Sequence, residues 1–199
     1  MKLSESIKKN KRKVVLIAVI AIIVAVAIGS TAAYFTAVGV ERNVITSGDI
    51  KIELKETMIN DQGQEVPYVD PEVVMPGDVI SKMPKVTNTG DNPAYIRVKV
   101  EKNIQLAEGK QGEVDLSLIS LNIDKNNWTE KGGYWYYNKA LPKGETTPAL
   151  FTTVTFKPGM DNLYQGCTVT INIKAYAVQS QNNGKDVMEA KGWPDESDK

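Results

Sequence analysis

The chain has 199 residues with 24 basic and 24 acidic side chains, one cysteine and no histidine. The absence of histidine excludes the usual zinc ligands, the usual general base at neutral pH and the histidine-containing catalytic triads. A single cysteine excludes an intramolecular disulfide framework, which mildly favours a bacterial exported protein. We therefore predict a protein that is not an enzyme, has no metal site and binds no cofactor.

The chain begins with the features of an export signal. Residues 8–13 carry five basic side chains, and residues 14–28 are apolar without a charge. Small side chains follow at Thr31 and Ala33. This pattern predicts a secretory signal peptide that a signal peptidase cleaves between Ala33 and Tyr34, with Thr31 and Ala33 in the small pockets of the enzyme.

The same residues allow a second interpretation. No charge occurs from residue 14 to residue 40, and about 20 apolar residues are enough for a helix to cross a hydrocarbon core. The preceding basic residues would then stay in the cytoplasm. In both interpretations the rest of the chain works outside the cytoplasm, and it meets a membrane only through this apolar segment.

The charge balance changes when the signal is removed. Loss of residues 1–33 takes away six of the 24 basic residues and one of the 24 acidic residues, which leaves 166 residues with a net charge of −5. A mildly acidic domain has no electrostatic basis for binding nucleic acid. A chain of this length is long enough to form one domain with a sizeable core.

Residues 34–46 open the remaining chain with apolar, β-branched and aromatic side chains. They predict an extended N-terminal arm or a first strand. Residues 49–56 alternate apolar and charged side chains, which is the pattern of a half-buried strand.

Two further strands are predicted at residues 79–87 and 94–104. A dense turn cluster at residues 88–93 joins them, so we expect the two strands to be antiparallel neighbours. Aromatic side chains on both sides of Gly132 and Gly133 predict a β-hairpin.

The longest predicted strand lies at residues 167–178, where twelve residues alternate strictly, and we expect it near the middle of a sheet. Residues 181–199 form a polar C-terminal tail, in which we expect a short helix at residues 185–191 and little other order. Several strands with Gly, Pro and Asn between them predict an all-β fold, an antiparallel β-sandwich over residues 34–180.

Three stretches of the chain resemble the TasA/camelysin family of exported proteins: residues 31–54, 85–100 and 160–180. The first contains an Asn-x-Ile-x-x-Gly step at Asn43, Ile45 and Gly48, and the third contains Ala-x-Ala-x-Gln at residues 175–179. The resemblance implies a jelly-roll β-sandwich, cleavage by a signal peptidase of the SipW type and secretion by a Gram-positive bacterium. It also implies a structural role, as a subunit of extracellular matrix, biofilm or surface fibres.

Fibres of TasA-like proteins are thought to grow when each subunit donates an N-terminal strand to the next one. The resemblance therefore implies that another copy of this chain or a related matrix subunit is the partner. We expect the donated strand to use the apolar side chains of the arm, which are Tyr34, Phe35, Val38, Val40 and Val44. The alternative is that the arm folds back as the first strand of its own sandwich, and both arrangements stay open.

Two other functions stay open as well. A membrane-anchored surface adhesin or binding module follows if residues 14–40 remain as an anchor. The camelysin name also implies metallopeptidase activity, but the chain has no His-Glu-x-x-His motif and no histidine to build one.

Three further features have both a functional and a structural interpretation. The aromatic residues from Trp128 to Tyr137 can form a sugar-binding platform, but packing across a hairpin is the favoured interpretation. Cys167 begins the longest strand on its apolar face, so we expect a buried thiol. The acidic residues between 61 and 78 and at 124 and 130 do not have the spacing of a calcium loop, and we interpret them as surface charge.

Overall fold

A computed structural model describes residues 35–39, 42–46 and 50–194. The predicted signal peptide, its cleavage residues Thr31, Ala33 and Tyr34, and Val40 of the arm lie outside the described residues. The described residues form β-strands connected by loops, with two single-turn 3₁₀ helices at Leu116–Leu118 and Asn162–Tyr164. The prediction of an all-β fold is therefore confirmed.

The strands are β1 (Phe35–Gly39), β2 (Arg42–Thr46), β3 (Ile52–Ile59), β4 (Glu65–Pro67), β5 (Val73–Val74), β6 (Val79–Ser81), β7 (Met83–Asn88), β8 (Ala94–Gln105), β9 (Ile119–Leu121), β10 (Trp128–Lys131), β11 (Tyr134–Tyr137), β12 (Thr153–Phe156) and β13 (Thr168–Gln179).

The largest sheet has the strand order β10-β11-β8-β13-β1-β5, and β2 also pairs with β13. β8 and β13 are antiparallel and stay in register over twelve residues, from Ala94 opposite Gln179 to Gln105 opposite Thr168. β13 has neighbours on both sides, which confirms the prediction that the longest strand lies inside a sheet.

The predicted aromatic hairpin is also confirmed. β10 and β11 pair antiparallel through Lys131 and Tyr134, and Gly132 and Gly133 between them have φ angles of 62° and 81°. Two successive positive φ angles define the two-residue turn that glycine pairs favour, because they match the twist of the flanking strands.

The two smaller sheets, in the orders β6-β12-β9 and β4-β3-β7, are joined edge to edge. Backbone N–H groups of Lys82, Leu150 and Thr147 donate to carbonyls across the junction at 2.9–3.0 Å. The two sheets therefore form one continuous hydrogen-bonded surface, in which β12 pairs with β6 and the segment before β12 runs beside Lys82 and β7.

The predicted antiparallel pair of residues 79–87 and 94–104 is wrong, because β7 pairs with β3 while β8 pairs with β11 and β13. Asn88 explains the difference. Its side-chain amide donates to the carbonyls of Asn92 and Leu141, and its Oδ1 accepts from Gly90 N at 3.0 Å. The turn cluster therefore carries the chain from one sheet to another instead of closing a hairpin.

The C-terminal segment differs most from its prediction. Residues 185–191 form turns instead of a helix, and Val187 is buried against Tyr95, Tyr136 and Val178 on the large sheet. Trp193 packs on the same cluster. The segment is ordered because it covers an aromatic sheet face that would otherwise be exposed to water.

Cys167 immediately precedes β13 and is fully buried, as expected. Burial raises the pKa of its thiol to about 11. The residue therefore acts as a small apolar side chain at neutral pH.

No helix within the described ranges is long and apolar enough to cross a membrane.

Candidate assembly site

The described strands of the N-terminal arm, β1 and β2, lie along one edge of β13. Thr36 pairs with Thr168 and Gly39 with Thr170, and after a shift in register β2 pairs with β13 from Arg42 to Thr46. These pairs are parallel, whereas the other named strand pairs of the described chain are antiparallel. The arm therefore places the first described strand of the chain beside the last one, within the largest sheet.

On the side away from β13, the described strands of the arm have little strand pairing. β1 pairs there with β5 through Phe35 and Thr36 only. In the part of the chain that the structure describes, β2 has β13 as its only strand partner. Val44 of β2 is 43% exposed. The strand partners of the arm in the described residues are therefore β13 along both β1 and β2, and β5 beside β1.

The edge of β13 that the arm covers belongs to a buried strand. Ile171, Ile173, Ala175 and Ala177 are each 0% exposed. Without a strand at this edge, a row of backbone N–H and C=O groups next to these apolar side chains would be unpaired, which is costly and promotes pairing with another chain.

Among the residues predicted for a donated strand, Phe35 and Val38 lie in β1 and Val44 lies in β2, all beside the same partner strand. Tyr34 and Val40 lie outside the described residues. In this single chain the arm folds back on its own sheet. Strand exchange would form the same pairs between two chains, so the donor-strand assignment stays a prediction.

A buried ion pair is an element that the sequence reasoning missed. Lys82 Nζ lies 2.9 Å from Glu56 Oε1, and both side chains are 0% exposed. The ammonium also lies 3.5 Å from the centre of the Tyr68 ring. Burial and the carboxylate of Asp70 raise the pKa of Tyr68, so its hydroxyl stays neutral. The signal for Glu56 was present in the sequence, because it continues the inward-facing alternation of β3.

A second missed element lies on the face of the large sheet that the C-terminal segment covers. The guanidinium of Arg97 lies 4.0 Å from the centre of the Tyr134 ring and 4.8 Å from that of Trp193. Its Nη2 donates to the carbonyl of Pro194 at 3.2 Å. Cation–π contacts and this hydrogen bond therefore hold the C-terminal segment on the sheet.

The acidic residues of the described ranges do not gather into a metal site. In residues 35–39, 42–46 and 50–194, no three His, Cys, Asp or Glu side chains are placed to hold a metal ion together. Asp124 caps its own loop, accepting from Asn127 Nδ2 at 2.7 Å and from Asn126 N at 3.1 Å. The hydrogen bond from the Asn127 side chain lowers the pKa of this carboxyl.

No family model, curated protein or solved structure matches this chain. What the described residues define is an all-β domain whose first and last strands are paired. Membership of the TasA/camelysin family stays a prediction from the sequence.

Proposed function

We propose that this protein is an exported structural subunit of the TasA/camelysin type with a jelly-roll β-sandwich. A signal peptidase of the SipW type cleaves it after Ala33, and the mature chain assembles outside the cell into matrix or surface fibres. The observation that carries this proposal is the arm. Its two strands pair with β13 along one edge, opposite Thr168, Thr170 and residues 173–177, and on the other side β1 pairs with β5 through two residues.

Exchange of the arm between subunits replaces each main-chain pair with β13 by an equivalent pair. A subunit that receives a neighbour's arm makes the same main-chain pairs with β13 that it makes with its own arm. Each subunit gives one strand and receives one, so the contact is head to tail. A head-to-tail contact that does not close into a ring produces a filament.

A subunit's own arm and a neighbour's arm compete for the edge of β13, and the outcome depends on the concentration of subunits. The subunit's own arm is held near β13 at an effective concentration of order millimolar for a short linker. Exchange therefore requires crowding of subunits or delayed docking of the subunit's own arm. Before cleavage, the signal peptide holds the arm at the membrane, so cleavage also frees the arm for a neighbour.

Assembly should depend on the arm. Protein that starts at Tyr34 should form fibres at high concentration, whereas protein that starts at Ser47 should stay unassembled, because it has no strand to donate. Light scattering and negative-stain microscopy measure the difference. If both forms stay monomeric, or both assemble equally, strand donation is wrong for this protein.

A synthetic peptide of residues 34–46 gives the matched control. Added to the protein that starts at Ser47, it should bind the vacant edge of β13 and raise the melting temperature without producing fibres. A peptide of the same composition in scrambled order should not bind. Equal binding of both peptides would show that the edge of β13 does not select the arm.

Processing should depend on Ala33. An Ala33→Glu substitution should block cleavage, because the pocket for the last residue of the signal accepts only small side chains. The precursor should then accumulate at its full-length mass on an immunoblot of cell fractions. Ala32→Glu is the control, since the position between the two small residues has no such restriction.

Normal release of the Ala33→Glu protein would place the cleavage site elsewhere. N-terminal sequencing of the wild-type protein provides a second check. An intact N-terminus in the membrane fraction would support the anchored adhesin instead of a secreted subunit.

A further inference from the structure

Two adjoining hollows share the indole of Trp135 at the hairpin edge of the large sheet. The first has a volume of about 370 Å³ and is lined on its other sides by residues that include Lys102, Ser120 and Ile123. The second has a volume of about 540 Å³ and includes Trp128 and Glu130 in its lining. Both volumes lie in the range of about 300–1,000 Å³ typical of small-molecule sites.

Trp128 supplies the observation that points to a ligand. Its side chain is 1% exposed, and its ring packs against Tyr137 with 5.4 Å between ring centres. Its indole Nε1 is buried and finds no hydrogen-bond acceptor in the part of the chain that the structure describes. Buried indole N–H groups usually have a partner, because an unpaired one loses its hydrogen bond to water. The second hollow is therefore lined by a residue with an unused donor.

The other polar groups that line the two hollows are separate side chains, and each keeps some unused hydrogen-bonding capacity. Glu130 Oε1 accepts from Gly133 N at 2.9 Å, which leaves its second oxygen as an acceptor. Lys102 Nζ donates to the carbonyls of Leu116 and Ile119 at 2.9 and 2.7 Å. An ammonium has three donors, so one remains. The lining thus combines a partly exposed aromatic ring with separate donors and acceptors.

This combination matches the chemistry of a sugar chain. A pyranose ring whose hydroxyl groups are all equatorial presents apolar C–H faces that stack on an indole, and its hydroxyl groups both donate and accept around its rim. A β-1,4-linked chain of glucose or N-acetylglucosamine keeps this arrangement in every unit. We propose that the paired hollows form a binding groove for such a glycan, with Trp135 as the stacking platform and Trp128 Nε1, which a small movement of the surrounding side chains would expose, as a donor to the sugar.

The three tryptophans of the chain allow a direct test. Each indole N–H gives one peak in a ¹H–¹⁵N correlation spectrum, and Trp193 is an internal control because it packs beside Arg97 and Tyr136. The full-length ¹⁵N-labelled protein, in a detergent without a sugar headgroup, is titrated with cellohexaose and with N-acetylchitohexaose. With at least one of them, the peaks of Trp128 and Trp135 should shift while that of Trp193 stays.

Two variants separate the proposed contacts. Trp135→Ala should weaken binding by about tenfold or more through loss of the stacking surface. Trp128→Phe keeps a ring against Tyr137 and removes only the donor atom and part of the ring, so it should weaken binding by about fivefold. Trp193→Phe should leave the affinity unchanged.

Absence of any shift with both hexasaccharides would overturn the proposal, and so would a shift confined to Trp193 or equal affinity of the three variants. The wild-type titration alone decides the first point, even if a variant fails to fold. The result is independent of fibre formation, because the groove lies at the β10–β11 edge of the sheet and the arm lies beyond β13.

Discussion

Replacing Lys82 with methionine should lower the free energy of unfolding by about 3–5 kcal/mol, because it leaves the carboxylate of Glu56 buried without its partner. Urea denaturation at neutral pH measures this change. A double variant, Lys82→Met with Glu56→Leu, should regain much of the stability, because it removes both charges.

The exposed pair of Lys55 and Glu53 is the matched control. Their charged atoms lie 3.1 Å apart, but both side chains are about half exposed. Lys55→Met should therefore change the free energy of unfolding by only about 0–1 kcal/mol. Equal effects of Lys55→Met and Lys82→Met would show that water reaches the Lys82 pair.

An Ile171→Asp substitution should prevent accumulation of folded protein. Ile171 lies in the middle of β13 and is 0% exposed, so the new carboxylate loses its contact with water. Its cross-strand neighbour Lys102 already directs its ammonium to two backbone carbonyls. An unpaired buried charge costs at least several kcal/mol, compared with about 5–15 kcal/mol for the total stability of a typical domain. Soluble yield and circular dichroism report the outcome.

Gln179→Asp, at the exposed end of the same strand, is the control for this prediction. It introduces the same charge into β13 at a position where water solvates it, so folding should continue. If Ile171→Asp had an unchanged melting temperature, the inward face of β13 would not be the centre of the core.

The sequence predicted those elements whose signal is local. Strict alternation identified β8 and β13, and two adjacent glycines identified the turn between β10 and β11. Alternation defines the two faces of a strand but does not define its neighbour. For this reason the pairing of residues 79–87 with 94–104 was predicted wrongly, since a hydrogen bond from Asn88 to the distant Leu141 helps to direct the chain away.

The sequence of the candidate assembly site likewise predicted a strand but not its neighbour. The composition of the arm indicated an extended segment, but its position beside β13 depends on residues far along the chain. The order of the C-terminal segment was not predicted, because its few apolar residues, such as Val187 and Trp193, do not recur at the spacing of a helix or a strand. Their burial depends on the aromatic face of a sheet formed by distant strands.

The pairing of the first strand with the last has a consequence for the order of folding. Thr36 and its partner Thr168 are 132 residues apart in sequence. Synthesis proceeds from the N-terminus, so the arm exists long before β13 does. Closing so long a loop is slow, and contacts of this separation form late in folding. Throughout this interval the only strand of its own chain with which the described arm can pair is β5, through two residues of β1. The sheet edges of chains that folded earlier are further sites open to it. The folding rate of β13 therefore sets how long a newly made chain can be captured by an older one.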